Sequence, residues 1–238
     1  MLTFLLGLLL ALQPLVLKTD TTEHFLIRHD RNIPAKFIRT LSSAMEAEYA
    51  RTQKALGIPL TRRMTVVIYT SELRYKSESR SLAFDNGDAT GGVIHLSYPA
   101  LKANRDSWDG LIARTVAKAV TSQVVFCPPW LVDAYSLHAG NETNRFGDPA
   151  QVAIASFGDL FEEYNRAERP REVKEVYAKL GFTIEFLLAR FGQKKVRELF
   201  AQFRSGKDLE TIFTETFGEP VSATEQAWAA ELRASARK

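Results

Sequence analysis

Residues Trp108 to Gly140, WDGLIARTVAKAVTSQVVFCPPWLVDAYSLHAG, decide how the whole chain is read. The apolar spacing predicts a helix over about 108–125, a turn at Cys127-Pro128-Pro129, and a second helix after it. At about 100° per residue, Trp108, Ile112, Val116, Ala119 and Phe126 share one arc. The opposite side carries Ala113, Ala117, Thr121 and Val124 and no charge, so the fold must cover most of the circumference. The cations of this helix, Arg114 and Lys118, stand four residues apart at the edge of the apolar arc. Like charges at that spacing oppose each other by a few tenths of a kcal/mol. On a nearly buried helix they need an anion or a cleft full of water.

The second half of the stretch, Pro128-Pro129-Trp130-Leu131-Val132-Asp133-Ala134-Tyr135, resembles a segment of the gluzincin zinc peptidases, most closely their peptidase MA-like branch. There a buried helix carries H-E-x-x-H, and a second helix begins P-x-W-L-x-E-G-x-A-x-Y. Counting back, the H-E-x-x-H positions fall on Arg114-Thr115-Val116-Ala117-Lys118. The resemblance implies that Arg114 and Lys118 stand where the family has its histidine ligands. Thr115 stands for the general-base glutamate, and Asp133 and Ala134 stand for the glutamate ligand and its following glycine. It also extends over the second half: Tyr177 on a helix running into Phe186-Leu187-Leu188-Ala189-Arg190-Phe191-Gly192, and Gly218 to Trp228 for a G-x-[ST]-x-x-E-x-x-W helix. The fold implied is α+β. A small N-terminal mixed sheet and helices pack on a buried site helix, and an all-helical C-terminal half follows.

The chemistry of these positions argues separately. A catalytic zinc takes three neutral-imidazole or carboxylate ligands and keeps an open position for water. Arginine stays protonated and lysine is an ammonium near neutral pH, so neither donates a lone pair. A threonine does not take the proton of an attacking water near pH 7. Asp133 alone cannot hold the metal. A relocated ligand set drawn from His95, His138 and Asp133 has no support in spacing. The reading is therefore an inactive metallopeptidase-like protein with no bound cofactor, although zinc belongs to the family. The alternative is a zinc hydrolase with relocated ligands.

The remaining chain supplies context. Its 238 residues, 45% hydrophobic and 25% charged, suit a globular protein of one generous domain or two small ones. A net charge of +3 is too small to argue for nucleic acid. The single cysteine, Cys127, excludes an intramolecular disulfide and sits beside two prolines as a turn residue. Residues 1–17, MLTFLLGLLLALQPLVL, form an uncharged apolar run, short for a membrane span of about 20 residues and suited to a signal peptide or N-terminal anchor. That places 1–20 outside the domain and 21–238 within it, divided into an α/β half at 21–140 and a helical half at 141–238. The protein is then expected outside the cytoplasm, touching membrane only through its N-terminus.

Strands are expected at Glu23–Asp30, Met64–Thr70 and Gly91–Tyr98, and a long helix at Ala35–Leu56 closed by Gly57. Residues 71–90 read as a surface loop or short helix leading to a turn. His24 and His29 flank the first strand as exposed residues. By the resemblance, Gly91–Tyr98 is the edge strand bordering the cleft, where His95 could face a ligand. Further helices are expected at 152–164, 172–191, 194–203 and 209–217. A capping box at Ser222-x-x-Glu225 opens the last one, and Asn141-Glu142-Thr143 fits an N-glycosylation pattern. Binding residues drawn from all this are Arg114, Lys118, Asp133, Trp130, His95 and Tyr177. Two uses follow: Lys118 fills the metal's place and pairs with Asp133, or both cations receive a peptide or protein carboxylate in the cleft.

Overall fold

The structure, a computed structural model, describes residues 17–79, 86–103, 108–147 and 156–235. It is α+β, with a small mixed sheet in the N-terminal half and helices in most of the remainder. Strand β1 (Leu17–Thr21) pairs antiparallel with β2 (Phe25–Asp30), and β2 pairs parallel with β3 (Met64–Tyr69). β3 pairs parallel with β5 (Val93–Ser97), whose other side pairs antiparallel with β4 (Gly87–Thr90). The order across the sheet is β1-β2-β3-β5-β4.

Two strands were not anticipated, and both sit at sheet edges. β1 takes Leu17 to Asp20 into the fold, in register with Ile27 to Asp30, so the expected boundary at 20/21 runs through a paired strand. Lys18 to Thr21 are polar and exposed, so they carry none of the alternating apolar pattern that marks a half-buried strand. β4 is short and carries one buried apolar side chain, Ala89, too little to set up a period-two pattern. Because β4 covers β5, Val93–Ser97 is an inner strand and not the edge.

Helix α1 (Ala35–Leu56) crosses between β2 and β3. It buries Ile38, Leu41, Met45, Tyr49 and Leu56 at helical spacing, and Gly57 ends it in the left-handed region at φ 66°. Short helices α2 (Glu72–Ser79) and α3 (Tyr98–Ala103) flank the sheet. α4 (Trp108–Thr121) is the central element. It touches α1, β4, β5 and the antiparallel-following α5 (Pro129–Ala139), and residues Ile112 to Ala117 are all buried. The helix stops at Thr121, four residues before the expected end. Turn bonds from Gln123 to Val120, Val124 to Thr121 and Cys127 to Val124 take over, and Phe126 adopts φ 68° with 68% exposure. Phe126 therefore leaves the apolar arc to which periodicity assigned it.

The helical half begins with α6 (Phe157–Arg166), capped reciprocally by Ser156 and Asp159. The expected start of this helix at 152 lies outside the described residues. α7 (Pro170–Gln202) is interrupted at Gly192, φ 79° and ψ 162°, where the sequence reading placed a helix end. α8 (Leu209–Phe217) and α9 (Val221–Ser235) are the last helices among the described residues. The Ser222-x-x-Glu225 capping box does not form. α9 begins at Val221, and the Glu225 carboxylate accepts instead from the Phe157 N–H at 2.6 Å, capping α6 across the fold. Phe157 also stacks on Trp130, 5.7 Å between ring centroids, and meets Trp228 and Phe213, so this half is sealed onto α5 through one aromatic cluster.

Candidate functional site

The site is built where α4 is crossed by β4 on one side and by α5 on the other. Its helical spacing puts Arg114 and Lys118 on one stripe, one turn apart. Asp133 lies one turn into α5, and its side chain is 2% exposed. Lys118 Nζ stands 2.8 Å from Asp133 Oδ1 and 2.9 Å from Asp88 Oδ1, so one ammonium bridges two carboxylates from different elements. The other oxygen of Asp133 accepts from Tyr164 on α6 and Tyr177 on α7, both at 2.8 Å. Both carboxylate oxygens that burial strips of water thus have donors.

Arg114 is also turned inward, with a side chain 4% exposed. Its Nη2 donates to the Gly87 carbonyl at 3.0 Å, and its Nε lies 3.1 Å from Glu142 Oε2. Glu142 is held from the outside by Arg145 at 2.7 Å. The two cations of α4 therefore clamp the edge strand β4, through Gly87 and Asp88, against α4. They also hold the start of α5's outgoing loop, through Glu142. Thr115 lies between them, buried, its hydroxyl donating to the Leu111 carbonyl of its own helix. The β4 backbone covers it: a Cβ on Gly87 would stand 3.3 Å from Thr115 Oγ1 and 2.9 Å from Leu96 Cδ2. Glycine is needed there because the strand lies on the helix with no room for a side chain.

The electrostatics follow from this enclosure. Burial opposes the charge of Lys118, but Asp133, Tyr177 and Asp88 outweigh it and hold the ammonium well above the ordinary lysine value. Burial pushes the Asp133 carboxyl up. The Lys118 charge and the three hydrogen bonds it receives pull it below the usual range. Tyr177 is driven well above the ordinary phenol range, first by burial and then by the Asp133 charge. Both ions of the central pair stay charged through neutral pH, and the tyrosines stay donors.

The other sequence candidates are distributed around this cluster rather than gathered in it. Trp130 is a core residue, 2% exposed and stacked on Phe157. Tyr177 does reach the site, through its hydroxyl. His95 on β5 faces Tyr69, whose hydroxyl is 2.8 Å from its Nδ1, and burial lowers its pKa despite Asp88 and Glu78 nearby. His138 sits at the far end of α5 with its Nδ1 2.8 Å from Glu185. His95, His138 and Asp133 are not brought together, and among the described residues no three His, Cys, Asp or Glu side chains gather as a metal-binding group. His29 corrects the reading of the first strand. It is 2% exposed, with Nε2 2.6 Å from Asp20, and His24 is held by Glu46 at 2.7 Å. Cys127 is a turn residue whose burial pushes its thiol up, away from nucleophilic use.

Sequence reasoning missed Asp88, Glu142 and Tyr164. Asp88 read as part of a turn and Glu142 as part of a glycosylation pattern. Nothing local marks either as the counter-ion of a helix far away in sequence. The need for an anion beside Arg114 and Lys118 was legible, but its source was not.

No protein-family model matches the sequence, and a search of curated proteins returns no match. Arg114, Thr115, Lys118 and Asp133 do not fit a zinc ion, because a guanidinium and an ammonium donate no lone pair and bring charge of the metal's own sign, and one carboxylate is left as a ligand.

Proposed function

We propose that this chain is a metallopeptidase-like protein of the gluzincin type that has lost its metal. The ammonium of Lys118 takes the place of the dication, and the protein acts outside the cytoplasm as a non-catalytic scaffold or peptide- and protein-binding module. One observation carries this reading. The residue at the second histidine position of the resemblance is the one that bridges Asp133, at the third-ligand position, and Asp88. A fixed cation held by two carboxylates, one of which also accepts from two tyrosine hydroxyls, does the structural work of a bound ion and leaves no open coordination position. The supporting fold features are the mixed sheet leaning on a buried helix, the following helix with its buried Trp130, and the helical second half.

The use of both cations as receptors for a ligand carboxylate is the weaker reading. Each is already engaged by the chain's own acids, so an incoming carboxylate would have to displace Glu142 or Asp88.

The test is zinc content. Protein purified without chelators and supplied with zinc is expected to hold well below one zinc per chain. The variant Arg114→His, Thr115→Glu, Lys118→His, Asp133→Glu, folded in the presence of zinc, is expected to hold close to one. It should also unfold at higher temperature with zinc than without. A stable one-to-one zinc in the natural sequence overturns the inactive reading. A folded variant that ignores zinc overturns the assignment of the four positions.

A further inference from the structure

A second feature lies away from this cluster, on the outer side of α1. The first turn of α1, the start of α3 and the start of α4 enclose a pocket of about 340 Å³. Its walls are aromatic. Phe37 meets Tyr98 edge to face at 4.9 Å between centroids and 81°, and Trp108 at 4.8 Å and 72°. The indole N–H of Trp108 donates to the Leu101 carbonyl, which fixes the ring's orientation. Three rings are thus locked by one another and by a backbone bond. All three are part-buried and their remaining faces line the pocket.

The rim is cationic. Lys36 and Lys102 line the pocket, both exposed, and among the described residues neither has a carboxylate partner. Other helix lysines do pair with a carboxylate three or four residues away, as Lys76 does with Glu72 and Lys195 with Glu198. The described lining contains no acid: besides the rings and lysines it is Pro34 and Thr40. A concave apolar surface with a few convergent polar groups is how small-ligand sites are made, and the volume is at the lower end of their range. Exposed ammonium groups with no carboxylate partner among the described residues, next to a rigid aromatic wall, select a ligand that is apolar at one end and anionic at the other. A carboxylate would take charge-assisted hydrogen bonds from the lysines, and a ring or branched aliphatic group would stack on Phe37 and Trp108.

We propose that this pocket binds a carboxylate carried on an aromatic or large apolar group, supplied either by a small free acid or by the C-terminal residue of a peptide. The site is independent of the Lys118 cluster, so the zinc test and the one below succeed or fail separately.

The experiment is calorimetric titration of the full chain with 3-phenylpropionate and its primary amide, and with a short neutral peptide ending in Phe as free acid and as C-terminal amide. At least one acid is expected to bind with Kd below about 1 mM. Its amide should bind at least tenfold more weakly, and Lys36→Gln with Lys102→Gln should reduce acid binding by a similar factor. Both lysines are exposed, so the variant's folding should not suffer, which its thermal unfolding checks. A peptide acid that binds tenfold tighter than phenylpropionate assigns the source to a chain terminus, and equal or reversed affinities assign it to a free acid. Binding by neither acid overturns the proposal. So does equal binding of acid and amide, or a folded double-lysine variant with unchanged affinity.

Discussion

Asp133 receives three donors on two oxygens, and it is the residue on which four elements meet. Removing one partner of a buried ion pair leaves the other charge unsolvated, at a cost of about 3–5 kcal/mol. Asp133→Ala should therefore lower the unfolding temperature by on the order of 10 °C. A shift of only a degree or two would mean that Lys118 finds enough elsewhere in Asp88 and water. The same residue predicts a pH dependence. Its carboxyl is held below the ordinary value, so its contribution to stability is full above the unfolded carboxylate range, near pH 4, and is lost as pH falls through the lower folded value. Lys118 is held above its ordinary value, so its contribution is full below about pH 10 and is lost only as pH rises through the higher folded value. Asp133→Asn keeps the acceptor oxygen but not the charge. It should be less stable than the natural protein at pH 7 and nearly its equal at the acid end, measured by urea unfolding across pH. Parallel profiles would remove Asp133 as a source of the acid limb.

At the scale of elements, the crossing of α4 and α5 is set by two glycines. A Cβ on Gly110 would lie 2.7 Å from the Gly140 carbonyl oxygen, and one on Gly140 would lie 2.8 Å from that of Gly110 and 2.9 Å from Arg114 Cβ. The first turn of α4 and the end of α5 are in backbone contact, which brings Glu142 onto Arg114 directly beyond the crossing. A methyl group here has no flexible neighbour to displace, so Gly110→Ala should destabilise by about 1–3 kcal/mol. Gly158 in the first turn of α6 is the control. Its added Cβ would meet only Ser156 Oγ at 3.5 Å, and alanine is the better helix former by up to about 1 kcal/mol. Gly158→Ala should be neutral or slightly stabilising. If the two variants unfold at the same urea concentration, the helices are free to separate and the clamp is looser than the geometry implies.

Over the whole molecule, the sheet is bounded by two strands that each bring an acid to an inward-turned base, Lys118 part-buried and His29 buried. β4 delivers Asp88 to Lys118, and β1 delivers Asp20 to His29. The placement of β1 bears on where a leader could end. A chain beginning at Thr22 lacks β1, leaves the hydrogen-bonding edge of β2 open and strips His29 of its acid. It should unfold at lower temperature and associate more readily than a chain beginning at Leu17, as measured by thermal unfolding and light scattering. Equal behaviour of the two chains would make β1 dispensable.

Much of the fold was legible because it rests on local periodicity. α1 was readable to the residue from its apolar stripe, from Pro34 before it and from Gly57 after it, and the break at Gly192 followed from glycine's access to backbone angles closed to other residues. α4 was readable as covered on nearly all sides, and the need for an anion beside Arg114 and Lys118 followed from the cost of burying charge. Lys118 with Asp133 was within reach through the resemblance, which sets both at metal-ligand positions. Which acids complete the cluster was decided by tertiary structure alone. Asp88 sits on a strand too short to announce itself, Glu142 beyond a helix end, and Tyr164 on a helix whose position depends on Glu225 capping it from the far end of the chain. A charge states that it needs a partner through its own solvation energy, which is a property of the residue. Which partner arrives depends on how the edge strand and the helices come to lie on α4, and no stretch of sequence carries that by itself.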